Sequence, residues 1–367
     1  MKVVFIGAYD DSEVVLAPIK VGKELFKNIN KVGINCVYLC YFDDGSQYTR
    51  IQKLFGFEKL NNKVFRCGII PLLFFVRRFN PDIVQIVTPD AFYLPIFLVK
   101  RIFKLKIAYL THSIISCYLK NFLEINFYKK LRLRLIEKVV YRYSDCLQLF
   151  SISEARYIVK NLKVEKAKIK IVDNGFYFLG FRKEYSDITE VIKIISIGEL
   201  SRKEKSFDFL LKALSKINKN IVLTVYSYKE QNISGINVPD NVQLCLKKPL
   251  NEIDLRKEFC NNDLFIITSR YETFSLSLLE AMSTGILFVS SNRVGLTKRF
   301  PEAFNRFIVS YGDVNKLKNK IEELYRLGNH EKNMITDEIR KFTSDFTWEI
   351  ISKRYINQYN KLISEIH

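Results

Sequence analysis

The stretch LFIITSRYETFSLSLLEAMSTG, residues 264–285, contains the unit from which the fold can be predicted. Its beginning, Leu264–Thr268, is rich in apolar and β-branched residues, which predicts a short buried strand. A polar loop starts at Ser269, and from about Ser275 the leucines recur at helical spacing. A strand, a loop and a helix in this order form half of a βαβ unit, so the stretch predicts a parallel sheet covered by helices.

The same alternation of short apolar runs and longer helical stretches extends along the whole chain. It predicts an α/β protein with two doubly wound, Rossmann-like domains in tandem. The other predicted strands are Val3–Gly7, Ile34–Leu39, Asp82–Val87, Lys106–Leu110, Cys146–Phe150, Lys168–Val172, Val191–Ile197, Ile221–Tyr226, Val242–Leu246, Ile286–Ser290 and Phe307–Val309.

The length and composition of the chain agree with two domains. A chain of 367 residues with 48% hydrophobic residues can bury two cores and is too long for one ordinary core. Residues 176–190 mix glycine with charged residues and lose periodicity before the apolar run of residues 191–197. We therefore predict an N-terminal domain over residues 1–178 and a second domain over residues 191–345.

The formal net charge of +19 indicates an anionic partner. A phosphate-bearing substrate, an acidic membrane surface and nucleic acid all fit, and the charge alone does not choose among them. A compositional bias toward lysine is the alternative explanation. Nucleic acid ranks last, because the sequence has no recognition helix, aromatic RNA-binding motif or zinc module.

The seven cysteines are scattered and mostly embedded in apolar runs, which is typical of reduced, buried thiols in a cytoplasmic protein. None of their spacings predicts a zinc site. The chain starts with Met1 and a strand-like run rather than with the pattern of a signal peptide. Its most apolar windows, residues 69–76 and 91–99, are shorter than the ~20 residues that span a bilayer. We predict a cytoplasmic protein without a transmembrane helix.

Candidate chemistry is expected just after the strands, because open α/β sheets bind ligands at the carboxyl ends of their strands. After the strand at Leu264–Thr268, Glu272 lies in the loop and Glu280 on the helix, so both carboxylates could accept hydrogen bonds from sugar hydroxyls. A helix that starts near Ser275 would offer its backbone amides to a diphosphate. The alternative is that Glu272 caps the helix and that Glu280 is an ordinary solvated residue.

Residues 269–285 resemble the signature of glycosyltransferase family 4, which runs Ser, any, Tyr-Glu, any, Phe-Gly-Leu, any, Leu-Leu-Glu-Ala-Met-Ala, any, Gly. The resemblance implies a nucleotide-sugar co-substrate, UDP- or GDP-linked, and no separate cofactor. It assigns the donor sugar to Glu272 and the ribose to Glu280. The backbone amides that would hold the diphosphate are those of Phe274, Ser275 and Leu276. The family usually has glycine at position 275, so the serine is a departure.

Residues 198–206, directly after the first strand of the second domain, resemble a family segment in which an arginine and a lysine neutralise the diphosphate. Arg202 and Lys205 are the candidates for these cations, and Lys205 is the better match. Glu199 stands where the family has arginine, and Ser206 where it has glycine. The alternative is a solvated charge run that caps the next helix.

His112, at the end of the strand Lys106–Leu110, corresponds to a histidine that the family places against the donor sugar; a packed or capping histidine is the alternative. The implied fold is GT-B, with two domains facing across a cleft and residues 346–367 forming a helix that returns to the first domain. The family is retaining, which is explained by same-face attack in which the leaving phosphate takes the acceptor proton. Nothing in this mechanism requires a metal.

Residues 100–142 contain eleven lysines and arginines against two glutamates, interleaved with aromatic residues. Such a stretch suits anionic lipid headgroups. It predicts peripheral association with the inner face of the membrane and a glycan or lipid-linked acceptor, as in capsule, O-antigen or lipopolysaccharide biosynthesis. A solvated basic helix is the alternative. The departures at positions 199, 206 and 275 leave open a catalytically silent GT-B relative that serves as a binding or scaffold protein.

Overall fold

The computed structural model of the chain describes residues 1–42, 48–88, 93–116, 126–185, 190–228 and 236–364. The chain forms two compact units. The first unit consists of Met1–Gly175 and Trp348–His367, and the second consists of Phe176–Thr347. Each unit contains a parallel sheet with helices, so the predicted α/β class with two doubly wound domains is confirmed.

The first unit is built on an eight-stranded sheet in the order β3-β4-β2-β1-β5-β6-β7-β8. All neighbouring strands are parallel except β3 and β4, which pair antiparallel at one edge. The strands are β1 (Lys2–Ile6), β2 (Asn35–Tyr41), β3 (Phe57–Lys59), β4 (Val64–Cys67), β5 (Ile83–Ile86), β6 (Lys106–Thr111), β7 (Cys146–Leu149) and β8 (Ile169–Ile171).

Helices connect these strands, and all of them except α2 have buried residues. They are α1 (Ala17–Lys31), α2 (Arg50–Phe55), α3 (Ile69–Phe79), α4 (Leu94–Val99), α5 (Phe127–Tyr143) and α6 (Ile152–Leu162). The core of the unit joins Leu72 and Val76 of α3, Ile96 of α4 and Val140 of α5 to the apolar strand residues. Continuous apolar burial of this kind is expected for parallel strands, which are covered on both faces.

The second unit is built on a six-stranded, fully parallel sheet in the order β11-β10-β9-β12-β13-β14. Its strands are β9 (Val191–Ile197), β10 (Asn220–Tyr226), β11 (Val242–Lys247), β12 (Leu264–Ile267), β13 (Leu287–Ser291) and β14 (Ile308–Val309). Its helices are α7 (Phe207–Leu214), α8 (Glu252–Asn261), α9 (Leu276–Thr284), α10 (Val314–Arg326) and α11 (Asn329–Thr343).

The last helix, α12 (Trp348–Ser364), belongs to the first unit and packs on α1. Tyr359 donates its hydroxyl hydrogen to Gln85 Oε1 at 2.7 Å, which ties α12 to β5. A Cβ on Gly175 would lie 2.5 Å from Cδ2 of Trp348, so only glycine allows the chain to pass this indole. In the structure the first unit ends at Gly175, before the predicted boundary at residue 178, and α12 starts at Trp348 rather than at residue 346.

The described part of the predicted linker 176–190 is anchored on the second unit. Phe176 N donates to Phe346 O at 3.0 Å, and Lys183 N donates to Thr284 O at 2.7 Å. Leu287 N donates to the hydroxyl oxygen of Tyr185 at 2.6 Å. The irregular sequence pattern of this segment therefore reflects an irregular path along the second unit.

Every predicted strand overlaps a strand of the structure. The sequence analysis did not predict β3 and β4. Both strands are short, and the side chains of β3 are all exposed, so neither carries the apolar alternation that marks a half-buried strand.

The cysteines at positions 36, 40, 67 and 146 are buried free thiols, as predicted, and those at 245 and 260 are partly buried. Cys117 lies outside the described residues. Among the helices of the described ranges, none combines the length and the apolar composition needed to cross a membrane.

Candidate functional site

Two of the predicted loops are neighbours because the strand order of the second sheet reverses at β9. The chain runs outward from β9 through β10 to β11 and then returns to the other side of β9 as β12. Such a reversal opens a crevice at the carboxyl ends of the strands, where ligands of α/β proteins bind. The loop 198–206 follows β9 and the loop 268–275 follows β12, so both border this crevice.

Helix α9 starts at Leu276, directly after the second of these loops, and its N-cap is Ser275. Ser275 Oγ accepts a hydrogen bond from Leu278 N at 3.2 Å. The predicted helix start near Ser275 is confirmed, and the capping group is this serine rather than Glu272. The N-terminus of α9 lies at the carboxyl edge of the sheet, where its dipole favours an anionic group.

Two serines that replace family glycines both adopt left-handed backbone conformations. Ser206 has φ 53° and Ser275 has φ 85°. Glycine reaches this region without steric cost, whereas a Cβ makes it unfavourable by about 1–2 kcal/mol. Hydrogen bonds offset part of this cost, because Ser206 Oγ donates to Lys203 O at 3.1 Å and Ser275 caps α9. Both positions in this chain therefore have a backbone conformation that would suit glycine.

Lys205 and Glu272 join the two loops. Lys205 Nζ donates to Glu272 Oε2 at 2.5 Å, and both side chains are about one-fifth exposed, at 19% and 21%. The pair links the carboxyl end of β9 to that of β12 across the crevice. Lys205 is therefore not the freely solvated charge that the alternative interpretation of residues 198–206 described.

Gly198 makes room for the stem of Lys205. A Cβ on Gly198 would lie 3.2 Å from both Cγ and Cδ of Lys205, and its φ of 149° is one that side chains rarely allow. Two successive turns then bring the lysine back over the end of β9, because Arg202 N donates to Glu199 O and Lys205 N to Arg202 O. The glycine and the turns together fix the direction of the lysine.

Arg202 contacts a carboxylate of its own loop. Its guanidinium donates to Glu204, whose side chain is buried, while Arg202 itself is 43% exposed. The charges of the site are therefore balanced in pairs, Arg202 with Glu204 and Lys205 with Glu272. A diphosphate that enters the crevice would have to draw these cations away from carboxylates, so their positive charge is less available than the sequence suggested.

A second glycine fixes the backbone around Glu272. Gly295 N donates to Glu272 O at 2.8 Å, and Leu296 N donates to Phe274 O at 3.0 Å. A Cβ on Gly295 would lie 1.8 Å from Thr273 O, so no other residue fits there. Backbone hydrogen bonds from Gly295 and Leu296 thus hold the loop that carries Glu272, as the bonds between paired strands do.

Glu280 is buried, which excludes the interpretation as a solvated residue. It lies on α9, and its Oε2 is 3.8 Å from Nη1 of Arg256 on α8. Sequence analysis missed Arg256, which is 1% exposed in its side chain. Its spacing from Phe259 and Cys260, three and four residues on, could have placed it on the inward face of α8.

His112 lies in the first unit, just after β6. Its Nε2 is 2.7 Å from Val87 O at the end of β5, so Nε2 carries the hydrogen and the ring donates to this carbonyl. Burial lowers the pKa of His112 to about 4, against a smaller opposing effect of the hydrogen bond to Val87. The imidazole is therefore neutral at neutral pH, with its lone pair on Nδ1.

A separate groove of about 1000 Å³ runs along α7 and borders Leu200–Lys203 and residues 236–241. Ser206 of the loop after β9 also lines it, so the groove shares five residues with that loop, Arg202 among them. However, Lys205, Glu272 and Glu280 do not line it. The groove is therefore distinct from the arrangement of charged side chains at the crevice.

Part of the chain resembles a known protein family. Residues 180–341 match the family model described as Glycosyl transferases group 1. The matched segment includes both loops of the crevice, together with α8 and α9. The chain is also similar to an uncharacterized 41.2 kDa protein in the cps region of Klebsiella pneumoniae, with 26% identity over 196 residues. The aligned residues cover 50% of this chain and 52% of that protein. The chain thus spans about half the length of this curated relative.

Two solved structures resemble the whole chain. A sucrose-phosphate synthase from Thermosynechococcus elongatus is 14% identical with a TM-score of 0.74 and covers 99% of each chain. Anabaena HepE in complex with UDP and glucose is 16% identical with a TM-score of 0.72 and covers 98% of this chain and 100% of its own. At these identities the likeness shows the fold. That fold is GT-B, and the match to the family model is confined to residues 180–341, which are less than half of the chain.

The conformation of Ser275 leads to a stability prediction. We expect Ser275→Gly to raise the free energy of unfolding by about 0.5–1 kcal/mol, because relief of the positive φ exceeds the loss of the cap. Ser275→Ala keeps the Cβ and loses the cap, so it should lower this free energy by about 1 kcal/mol. Urea titration followed by far-UV circular dichroism measures both. An alanine variant more stable than the glycine variant would contradict this account.

The low pKa of His112 leads to a pH prediction. Between pH 6.5 and about 4 the unfolded chain takes up a proton at His112 that the folded chain does not, so stability falls as the pH falls. His112→Gln cannot titrate but can still donate to Val87 O. Between pH 6.5 and 5 the free energy of unfolding of the wild type should fall by roughly 1–2 kcal/mol more than that of the variant. Equal losses in urea titrations of the two proteins would exclude this role for His112.

Proposed function

We propose that this protein is a glycosyltransferase that moves a sugar from a nucleotide-sugar donor to a glycan or lipid-linked acceptor. The observation that carries the proposal is the pairing of Lys205 with Glu272 at the carboxyl ends of β9 and β12, beside the N-terminus of α9. A cation, a carboxylate and a helix N-terminus in one crevice match the diphosphate and the hydroxyls of such a donor.

Each part of the donor has a proposed partner in this crevice. Lys205 and the amides of Phe274, Ser275 and Leu276 would hold the diphosphate, with Arg202 as a second cation. Glu272 would accept hydrogen bonds from the sugar hydroxyls once the phosphate has drawn Lys205 away. Glu280 would accept hydrogen bonds from the ribose hydroxyls. UDP is the first nucleotide to test, because the similar Anabaena HepE was solved with UDP; GDP and ADP follow.

The proposed reaction breaks the bond between the sugar C1 and the oxygen of the β-phosphate and forms a bond between C1 and the acceptor oxygen. We propose that attack occurs on the same face, so that configuration is retained and the acceptor proton passes to the leaving phosphate oxygen. The leaving group gains negative charge in this step. Lys205 and the α9 dipole would stabilise that charge without a metal ion.

His112 remains the proposed contact from the first unit to the donor sugar. Its neutral imidazole can accept a hydrogen bond from a sugar hydroxyl at Nδ1, because Nε2 donates to Val87 O. It does not supply a proton to the leaving group at neutral pH, because its pKa is about 4. This agrees with a mechanism in which the phosphate itself takes the acceptor proton.

The acceptor side of the proposal rests on the surface of α5. Six of its seventeen residues are lysine or arginine, and its single acidic residue, Glu137, is buried and accepts a hydrogen bond from Ser116 N. Large apolar side chains are exposed on the same helix, including Phe127 at 72% and Tyr128 at 80%. The other exposed apolar residues of α5 are Leu131, Leu135, Val139 and Tyr143.

The helices beside α5 extend this surface. Helix α4 packs against both α3 and α5, and Leu98 on α4 and Phe74 on α3 are strongly exposed. Cations interleaved with exposed apolar side chains suit the headgroup region of an anionic membrane. We therefore propose that this face rests on the inner surface of the cell membrane and brings the enzyme to a lipid-linked acceptor of polysaccharide biosynthesis. The cps region of the Klebsiella relative supports such a pathway.

Nucleotide binding tests the donor site. We expect UDP, GDP or ADP to raise the thermal midpoint, since a ligand at 100 times its Kd stabilises by about 2.7 kcal/mol. Lys205→Ala and Glu280→Gln should each cost roughly 2–4 kcal/mol of transition-state stabilisation in a transfer assay and leave the protein folded. Lys203→Ala, which removes an exposed charge from the same loop, is the matched control and should keep near-normal transfer.

Three results would count against this assignment. Near-normal transfer by either variant would remove its residue from the mechanism. Binding of a nucleotide-sugar without release of free nucleotide would indicate a catalytically silent relative, and no thermal shift with any nucleotide would reject the donor site.

Membrane association is tested with vesicles. We expect the protein to sediment with vesicles that contain anionic phosphatidylglycerol at low salt, and to be released at about 0.5 M salt, where screening is nearly complete. Tyr128→Ser combined with Leu135→Ser should weaken this binding several-fold. Ile253→Ser, at an exposed apolar residue of the second unit, is the matched control. A protein that stays in the supernatant at low salt would rule out the membrane proposal.

A further inference from the structure

Arg256 is a buried cation of the second unit. Its side chain is 1% exposed, and its guanidinium nitrogens form no hydrogen bond within the part of the chain that the structure describes. One carboxylate lies beside it, that of Glu280, at 3.8 Å between Nη1 and Oε2. Burial of a charge is unfavourable unless it is compensated, and Glu280 provides the ion pair that compensates this one.

The position of Arg256 is set by the packing of α8. Asn251 caps this helix through the bond from Asp254 N to its Oδ1 at 2.9 Å, which fixes where the helix starts. Phe259, three residues after the arginine, packs edge-on against Phe265 of β12 with 5.6 Å between ring centroids. Helix α8 also packs against α9. Arg256 thus reaches Glu280 from a helix that is anchored in the core.

The proposed role of Glu280 in the donor site places two requirements on its carboxylate. A carboxylate that is to accept hydrogen bonds from both ribose hydroxyls must be ionised and held in one orientation. Burial opposes ionisation, because it removes water from the charged form. A neighbouring guanidinium favours the charged form and also limits the rotation of the carboxylate.

We propose that Arg256 is a positioning residue, which keeps Glu280 ionised and oriented toward the ribose of the nucleotide. The proposal rests on the function proposed above and adds a determinant of ribose recognition on a helix outside both crevice loops. Its effect passes through Glu280, so it depends on an intact vicinal diol in the ligand. A 2′-deoxyribose offers only one hydroxyl to the carboxylate, so its binding should depend less on the orientation of Glu280.

The test compares the affinities for UDP and 2′-deoxy-UDP by isothermal titration calorimetry. If GDP or ADP raises the thermal midpoint of the wild type more than UDP does, that nucleotide and its 2′-deoxy form replace the UDP pair. The variants are Arg256→Met, Arg256→Lys, Glu280→Gln and the double variant Arg256→Met with Glu280→Gln. Arg256→Met keeps an unbranched apolar stem and removes the guanidinium group with its charge. Arg256→Lys keeps the charge and loses the planar fork.

We expect Arg256→Met to weaken UDP binding about tenfold, equivalent to about 1.4 kcal/mol, and 2′-deoxy-UDP binding less than twofold. In the Glu280→Gln background the same substitution should change neither affinity. Arg256→Lys should restore part of the loss for UDP. If Arg256→Met does not fold, as judged by circular dichroism, Arg256→Lys carries the test with an expected loss of about threefold for UDP and none for 2′-deoxy-UDP.

Three results would overturn the inference. Arg256 variants that bind UDP like the wild type exclude a positioning role. Equal losses for the ribo and deoxyribo ligands, or an undiminished loss in the Glu280→Gln background, indicate that Arg256 only stabilises the helix pair. A wild-type protein that binds no nucleotide rejects the donor site itself and this inference with it, which distinguishes the two failures.

Discussion

The reversal of strand order at β9 is the constraint on which the second unit depends. It separates β10 and β11 from β12 and β13, so the loops after β9 and β12 meet at one edge of the sheet. Lys205 and Glu272 lie 67 residues apart in sequence, yet their charged atoms are 2.5 Å apart. The contact between Lys205 and Glu272 is a consequence of this topology, because the two residues belong to different loops.

The rigidity of the site comes from backbone positions that few residues can occupy. Gly198 and Gly295 leave space that a Cβ would fill, one for the stem of Lys205 and the other for Thr273 O. Ser206 and Ser275 hold left-handed conformations that glycine adopts more easily. The chain thus accommodates a side chain at these two positions at some cost in stability.

Local patterns were sufficient to predict the fold. The strands carry runs of β-branched and aromatic residues, and the stretch at residues 264–285 predicted its strand, loop and helix closely, with α9 starting one residue after Ser275. The strands β3 and β4 escaped prediction because they are short and β3 has no buried face. The first unit ends at Gly175 rather than at the predicted residue 178, because residues 176–185 pack on the second unit despite their irregular sequence.

The sequence by itself determined the class of fold, the two loops and the identity of their charged residues, because strand periodicity and motif spacing are local properties of the chain. Only the tertiary structure decided how those charges are compensated. Lys205 pairs with Glu272, Arg202 with Glu204, and Arg256 with Glu280. The pairs of Lys205 with Glu272 and of Arg256 with Glu280 join different parts of the fold. In the sequence, Arg256 does not differ from any other arginine on a helix. Burial and pairing depend on the neighbours that folding supplies, and a sequence pattern does not contain them.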